Sequence, residues 1–520
     1  MIGGYFIRFL IRMLLLTMIC CLGILPITTS SVLAMTIHQD RFQLIDEEIT
    51  QNMQRFNIPG MAFVLADENG TVYSKGYGVL KQDSTLKVNT STNFHIGSIS
   101  KVFTSLAIMQ LRDAGQIQLH DPVTTYLPWF ATKDPDLSGR MTIRDLLNHT
   151  SGLPGRLNVH DLTGASLETI EPQLSRKLQN VSLVAEPGTT YEYSNINYDL
   201  LQLIIEEVSA LSFPDYMSQQ IFQPLGMKRT SFNQDNELEP NSATGHRYLW
   251  GNLRPFHEHL AYATLGSAGL STNAKDLGTY ISFLLNDSAA SNNSVLQSDS
   301  LREMRTAAIF DSSIGYGYGW EITRNTIEKK GGLPGFTANL IIVPGKSYGF
   351  ALLANSKQNI TDETNFNIYR ILEGGSPIHL AKADYPAIMP IDKSLLYISG
   401  LLILIIFIMW LPALISCFTK RGVLFLIKPT TATILVCFVL NIIINLGVQY
   451  YIYIYVPFVS GAPSLYRLTT APDSVNGLTL LSITWLVFSI SIACKSLVRL
   501  KAKTSQGIQK STKSITPLRQ

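Results

Sequence analysis

Chemistry in this chain of 520 residues gathers first around the stretch Phe94-His95-Ile96-Gly97-Ser98-Ile99-Ser100-Lys101, which runs into an apolar segment from Val102 to Leu111. A serine at a helix start has its hydroxyl and backbone N–H near the positive end of the helix dipole. A lysine three residues on shares its helix face, one turn away. An ammonium desolvated among apolar neighbours loses its proton more readily, and the resulting amine can deprotonate the serine. Ser98 and Lys101 therefore read as nucleophile and base. A second Ser-x-x-Lys, Ser84 to Lys87, lies in a polar stretch with no apolar helix after it and carries no such reading.

Two further motifs follow in the chain. Tyr193-Ser194-Asn195 supplies a phenol that can act as general base and an amide that can orient a substrate; alternatively the pair caps a helix starting at Tyr198. Lys329-Lys330-Gly331-Gly332 reads as a strand beside the site. Its glycine lets a substrate backbone approach, and a following N–H can complete an oxyanion hole with the N–H of Ser98. Lys330 either attracts a substrate carboxylate or points away on the far strand face. Other candidates are weaker. His257 and His259 lack a third metal ligand. His149, in a Thr-Ser-Gly turn, reads as a structural hydrogen-bonder. The run Gly331 to Gly335 lacks the Gly-Lys-Ser/Thr ending of a phosphate loop.

The three motifs in this order resemble the class C β-lactamase-like serine hydrolases, a family that includes penicillin-binding-protein relatives, esterases and D-amino-acid peptidases. The resemblance covers about 40–375. It also takes in Leu146-Leu147-Asn148-His149-Thr150-Ser151-Gly152-Leu153-Pro154, Pro187-Gly188-Thr189, Pro224-Leu225-Gly226-Met227, Ser267-Ala268-Gly269-Leu270-Ser271-Thr272 and Tyr318-Gly319-Trp320. It implies an α+β fold of the β-lactamase/transpeptidase type, with Ser98 as nucleophile, Lys101 and Tyr193 as its activating pair, and Asn195, Lys329, Lys330, Gly331 and Gly332 around the substrate. No cofactor and no metal belong to this chemistry. Lys330 stands where β-lactamases have the threonine of Lys-Thr-Gly, so the hydroxyl that would meet a β-lactam carboxylate is missing.

The elements that must position these residues are legible in outline. Met61–Ala66 and Val72–Val79, split by Asp67-Glu68-Asn69-Gly70, predict a β-hairpin, and Leu340–Val343 with Tyr348–Ala354 predict another. Strands at both ends with helical patterns between them predict an antiparallel sheet closed by the two chain ends, with a helical region inserted. Helices are expected over Lys101–Ala114, Thr142–Leu147, Tyr198–Ser209 and Ala274–Leu285, the last capped by Ser271 or Thr272. There is no internal repeat.

Composition adds a location. The chain is 46% hydrophobic and 15% charged, and its net charge of +3 conceals two opposite parts. Residues 35–394 hold 28 basic and 37 acidic residues; from Leu395 onward there are eleven basic residues and one acid, Asp473. An acidic body on a basic, apolar tail excludes a nucleic-acid partner and a disordered chain. The five cysteines all lie outside 35–394, which leaves that region no disulfide, thiolate metal site or cysteine nucleophile.

Residues 1–34, with Arg8 and Arg12 before an apolar run and Val32-Leu33-Ala34 at the end, read as a signal peptide. The hydrolase domain is expected over 35–375 and a linker over 376–394. Transmembrane helices are expected over 395–418, 430–456 and 477–494, anchoring the chain in the lipid bilayer, with a basic tail over 495–520. Lys420, Arg421 and Lys428 after the first span, and the basic tail after the third, place both segments inside and the catalytic domain outside the cytoplasm of a bacterial cell. An exported hydrolase domain followed by three spans resembles the prodrug-activating peptidases of nonribosomal peptide pathways, the colibactin and zwittermicin maturation type, which remove an acyl-D-asparagine cap. The expected substrate is a peptide with D-amino acids. The alternatives are a D-Ala carboxypeptidase or endopeptidase, an esterase, or a β-lactam or peptide sensor acylated without turnover. Nothing in the sequence speaks to oligomeric state.

Overall fold

The computed structural model describes residues 39–378, apart from 156, 158, 160, 233–239, 250–251, 258–259, 287–294, 307–308, 312–313 and 357–359, together with helical residues scattered over 397–411 and 480–487. The chain enters through helix α1 (Gln39–Phe56) and the hairpin of β1 (Gly60–Asp67) and β2 (Gly70–Gly78). A short strand, β3 (Phe94–His95), a 3₁₀ turn over Gly97–Ile99 and helix α2 (Ser100–Asp113) follow. The helical region contains α3 (Ile143–Leu147) and α4 (Asn195–Ser209). Next come the hairpin β4 (Gly245–Leu249) and β5 (Asn252–Phe256), the short helix α5 (Leu265–Ala268), β6 (Ser271–Thr272) and α6 (Ala274–Leu285). The strands β7 (Ile309–Asp311), β8 (Ile314–Tyr316), β9 (Glu321–Ile322), β10 (Ile327–Leu333), β11 (Phe336–Val343) and β12 (Tyr348–Ala354) complete the sheet, and α7 (Ile360–Leu372) follows it.

The sheet has the order β2-β1-β12-β11-β10-β9-β8-β7, and its neighbours run antiparallel. Its closure pairs β1 with β12, Phe63 opposite Leu352, so strands from the two ends of the domain lie side by side as expected. Side chains alternate across the pleat. Val64, Leu340, Ile342 and Leu353 face the helical region, while Phe63, Leu65, Phe350 and Leu352 face α1 and α7, where Ile45, Ile49, Ile368 and Ile371 meet them. With both faces covered, β1 and β12 read as continuous apolar runs and are buried along almost their whole length.

Two local expectations are corrected. Ser271 and Thr272 do not cap α6; they form β6, which pairs with β3, and the cap is Asn273, whose extended backbone lets its side chain accept from the Asp276 N–H at 3.0 Å. Helix α4 starts at Asn195, three residues before the expected Tyr198, with Ser194 in the extended conformation of an N-cap. The earlier start lifts Asn195 onto the helix that faces α2, so this motif is more than a cap.

Of the expected membrane segments, 1–34, 430–456 and 495–520 lie outside the described residues. The spans 395–418 and 477–494 are described only in part. Among the described residues no helix is long and apolar enough to cross a membrane.

Candidate active site

The site forms where the 3₁₀ turn that carries Ser98 meets the edge of β10. Gly97 makes this meeting possible: its φ is +51°, and a Cβ there would lie 2.8 Å from the nitrogen of Gly332. Gly331 is tighter still, since a Cβ on it would lie 1.8 Å from the carbonyl oxygen of Ile96. Glycines at both positions let two backbones touch, which packs the Gly332 amide against the turn bearing Ser98. A Cβ on Gly332 would meet nothing within 4 Å, so this residue borders open space.

Lys101 is fully buried, and its Nζ lies 3.2 Å from Ser98 Oγ, 2.8 Å from Asn195 Oδ1 and 2.8 Å from the backbone oxygen of Ser267. The carbonyl of Ser267 can only accept, and the amide oxygen of Asn195 likewise. A neutral amine satisfies both with its two hydrogens and keeps its lone pair for the Ser98 hydroxyl; an ammonium donates to all three. The same geometry thus holds lysine before and after it takes a proton. Burial pushes the Lys101 pKa down from its ordinary value, and Lys329 adds to that, against an opposing pull from Tyr193 and Asp199. On the other side of the serine, Tyr193 Oη donates to Ser98 Oγ at 3.0 Å.

Lys329 also points inward, fully buried, with its Nζ 4.9 Å from the centre of the Tyr193 ring and 5.1 Å from that of Tyr316. Its ion-pair partner is Glu321, at 3.3 Å. Lys330 alternates to the opposite face of β10, where it pairs with Asp362 of α7 at 2.8 Å. The structure so decides between the two readings of Lys330: it points away from Ser98. Both partners are largely exposed, so the pair contributes at most about 1 kcal/mol. Lys330→Ala is expected to change kcat/KM less than about threefold, because the side chain lies on the strand face away from Ser98; steady-state kinetics check this, and a tenfold rise in KM would return Lys330 to the site.

His149 is held by the fold. It has φ +58°, its Nδ1 accepts from the Ser194 N–H at 3.2 Å and from Asn197 Nδ2 at 2.9 Å, and its ring packs tilted against that of Tyr193, 4.4 Å between centres. Burial, with the two lysines nearby, holds its pKa well below the usual histidine range, so it stays a neutral acceptor. Among the described residues no group of three or more His, Cys, Asp or Glu is arranged to hold a metal, and His259 lies outside them. Ser84 accepts from the N–H of Leu86 in an exposed turn.

Sequence reasoning missed three groups that act on the two buried lysines. The Ser267 carbonyl has no side-chain signature; Glu321 follows the Tyr318-Gly319-Trp320 run without forming part of a motif; Asp199 sits on the buried helix α4. The β4–β5 hairpin, whose His246 N–H donates to the carbonyl of Gly335 at 3.1 Å, braces the turn after β10.

A serine flanked by a buried lysine and a tyrosine, next to a strand-edge amide on an α-plus-antiparallel-sheet scaffold, defines a serine acyl-transfer enzyme. A family profile described as Beta-lactamase matches residues 45–373. The chain belongs to this family, as a serine hydrolase of the β-lactamase/transpeptidase fold. It is 31% identical over 320 residues to Protein flp of Staphylococcus aureus (strain N315), covering 61% of this chain and 63% of the relative. The chain thus spans less than two thirds of that relative's length. It is 27% identical over 341 residues to the Putative penicillin-binding protein PbpX of Bacillus subtilis (strain 168), covering 64% and 81% of the two chains. Among solved structures, the octameric penicillin-binding protein homologue from Pyrococcus abyssi matches with a TM-score of 0.57 and 27% identity over 65% of this chain and 78% of that one. A class C beta-lactamase shares the fold at a TM-score of 0.57 and 21% identity, covering 66% and 98%.

Proposed function

We propose that this chain is a membrane-anchored peptidase that works outside the cytoplasm on peptides containing D-amino acids. The observation that carries the chemistry is the position of Ser98 Oγ between Lys101 Nζ and Tyr193 Oη. Ser98 attacks the amide carbonyl as its proton passes to Lys101. The N–H groups of Ser98 and Gly332 hold the oxyanion. Tyr193 hands a proton to the departing amine, and water then releases the acyl group by the reverse relay. Asn195, which also accepts from Lys101, orients the substrate amide.

The anchoring and the acyl-D-asparagine cap as substrate rest on the sequence beyond 394: three uncharged spans with basic flanks. A second reading, a penicillin-binding-like D-Ala carboxypeptidase or endopeptidase, is supported by the likeness to PbpX and to the Pyrococcus protein. The expected outcome with full-length protein in detergent is turnover of an acyl-D-asparagine peptide. Faster turnover of a D-Ala-D-Ala peptide selects the second reading. Turnover only of a simple ester assigns an esterase, and a stable adduct with no product assigns a sensor.

A further inference from the structure

Behind Lys101 lies a carboxyl group that the relay does not use. Asp199 stands one turn after Asn195 on α4, so the two share a helix face. It is 1% exposed, and among the described residues no donor makes a well-aligned hydrogen bond to either of its oxygens. The polar residue that acts on it is Ser267 of α5, whose backbone carbonyl accepts from Lys101. The two elements that grip the lysine therefore also enclose the carboxyl.

A buried ammonium without a counter-charge, and a buried carboxylate without donors, are each costly on their own. Two lysines are buried in this site, and Glu321 pairs with Lys329 only. The charged group acting on Asp199 is Lys101 of α2. The titratable groups acting on Lys101 are Tyr193, Lys329 of β10 and Asp199, while His149 beside them stays neutral. Burial raises the carboxyl's pKa to about 7, with Ser267 and Lys101 pulling it back. The lysine amine and the carboxyl can thus be neutral together or charged together, with the same number of protons.

We propose that Asp199 is the internal counter-charge of Lys101, a positioning residue that sets the pH at which Lys101 can take the proton of Ser98. The inference rests on the proposed function only in making Lys101 the serine's proton acceptor. In the step itself the Ser98 O–H bond breaks, an N–H bond forms on Lys101, and the oxygen's electron pair goes to the attacked centre. The ionised carboxylate stabilises the ammonium so formed. Without it, the amine sheds its proton at lower pH.

The test uses the full-length protein and a fluorophosphonate probe, which reports the reactivity of Ser98 whatever the natural substrate. In Asp199→Asn the midpoint of the acid limb of the labelling rate is expected about one pH unit below that of wild type, a moderate shift for one nearby charge. Linkage requires the reciprocal effect. Infrared titration of the buried carboxyl's C=O stretch in Lys101→Met should find Asp199 keeping its proton to higher pH than in wild type. The asparagine is isosteric, and heat stability provides a control of folding. The folded protein holds the Asp199 proton from the ordinary carboxylate range up to about 7. Raising pH through that window therefore costs wild type stability that the variant does not lose.

Superimposable labelling midpoints, or a rate lowered equally at every pH, would overturn the proposal and leave Asp199 a packing residue. If wild type reacts with no probe, the hydrolase reading fails instead. The infrared arm then decides alone: an Asp199 titration unchanged by Lys101→Met overturns the counter-charge.

Discussion

Lys101→Met is expected to slow acylation of Ser98 by about 10³-fold or more while leaving a folded protein. Methionine fills the buried channel of the lysine stem but offers neither a donor nor a base. Three interactions disappear together: the contact with Ser98 at 3.2 Å and those with Asn195 and Ser267 at 2.8 Å. General-base assistance is commonly worth about 10²–10⁴-fold, and the loss of the oriented serine adds to it. Stability moves in two opposing directions. The oxygens of Asn195 and Ser267 lose a donor, at about 1–3 kcal/mol for each that stays dry. The cost of burying the lysine head group is removed at the same time. A shift of only a few degrees in melting temperature should therefore accompany a collapse in single-turnover rate. A loss below tenfold, with the fold intact, would make Tyr193 the sole base and remove Lys101 from the proton path.

Gly331→Ala is expected to damage the site by moving backbone. Its new methyl would lie 1.8 Å from the Ile96 carbonyl oxygen and 2.9 Å from its carbon, both main-chain atoms with no rotamer to change. Either β10 lifts away or the turn before Ser98 shifts, and in both cases the amides of Ser98 and Gly332 separate. Losing one oxyanion donor costs about 10²–10³-fold in kcat, and overpacking of this kind costs about 1–3 kcal/mol of stability. Gly332→Ala is the matched comparison, because its methyl would enter open space. It should fold with an unchanged melting temperature and alter KM instead. Denaturation curves and kcat measured on the two variants check both claims. Equal effects from the two substitutions would contradict the contact between β10 and the Ser98 turn.

These same residues separate what the sequence displays from what only the fold reveals. Ser98 and Lys101 were legible because a helix fixes i and i+3 on one face, whatever surrounds it. The hairpins were legible from short apolar or alternating runs broken by turn residues, as Asp67-Glu68-Asn69-Gly70 breaks the first. The side of β10 on which Lys330 falls was not legible, since alternation gives two faces but not which one meets Ser98. Asp199 was hidden for a different reason. Helix α4 is buried from Ile196 to Glu206, so apolar and polar residues alike face protein. No amphipathic stripe remains to distinguish an inward carboxyl from an outward one. The Ser267 carbonyl, a backbone atom brought in from another element, leaves no trace in residue type at all.

Formation of a covalent acyl-enzyme on Ser98 is read by intact-mass spectrometry of the full-length protein with an acyl-D-asparagine peptide, a D-Ala-D-Ala peptide and a fluorescent penicillin. The expected result is a mass increase equal to one acyl group, mapped to the peptide that contains Ser98 and absent from a folded Ser98→Ala variant. An adduct that persists in Ser98→Ala, or product formed at the wild-type rate without that serine, would contradict it.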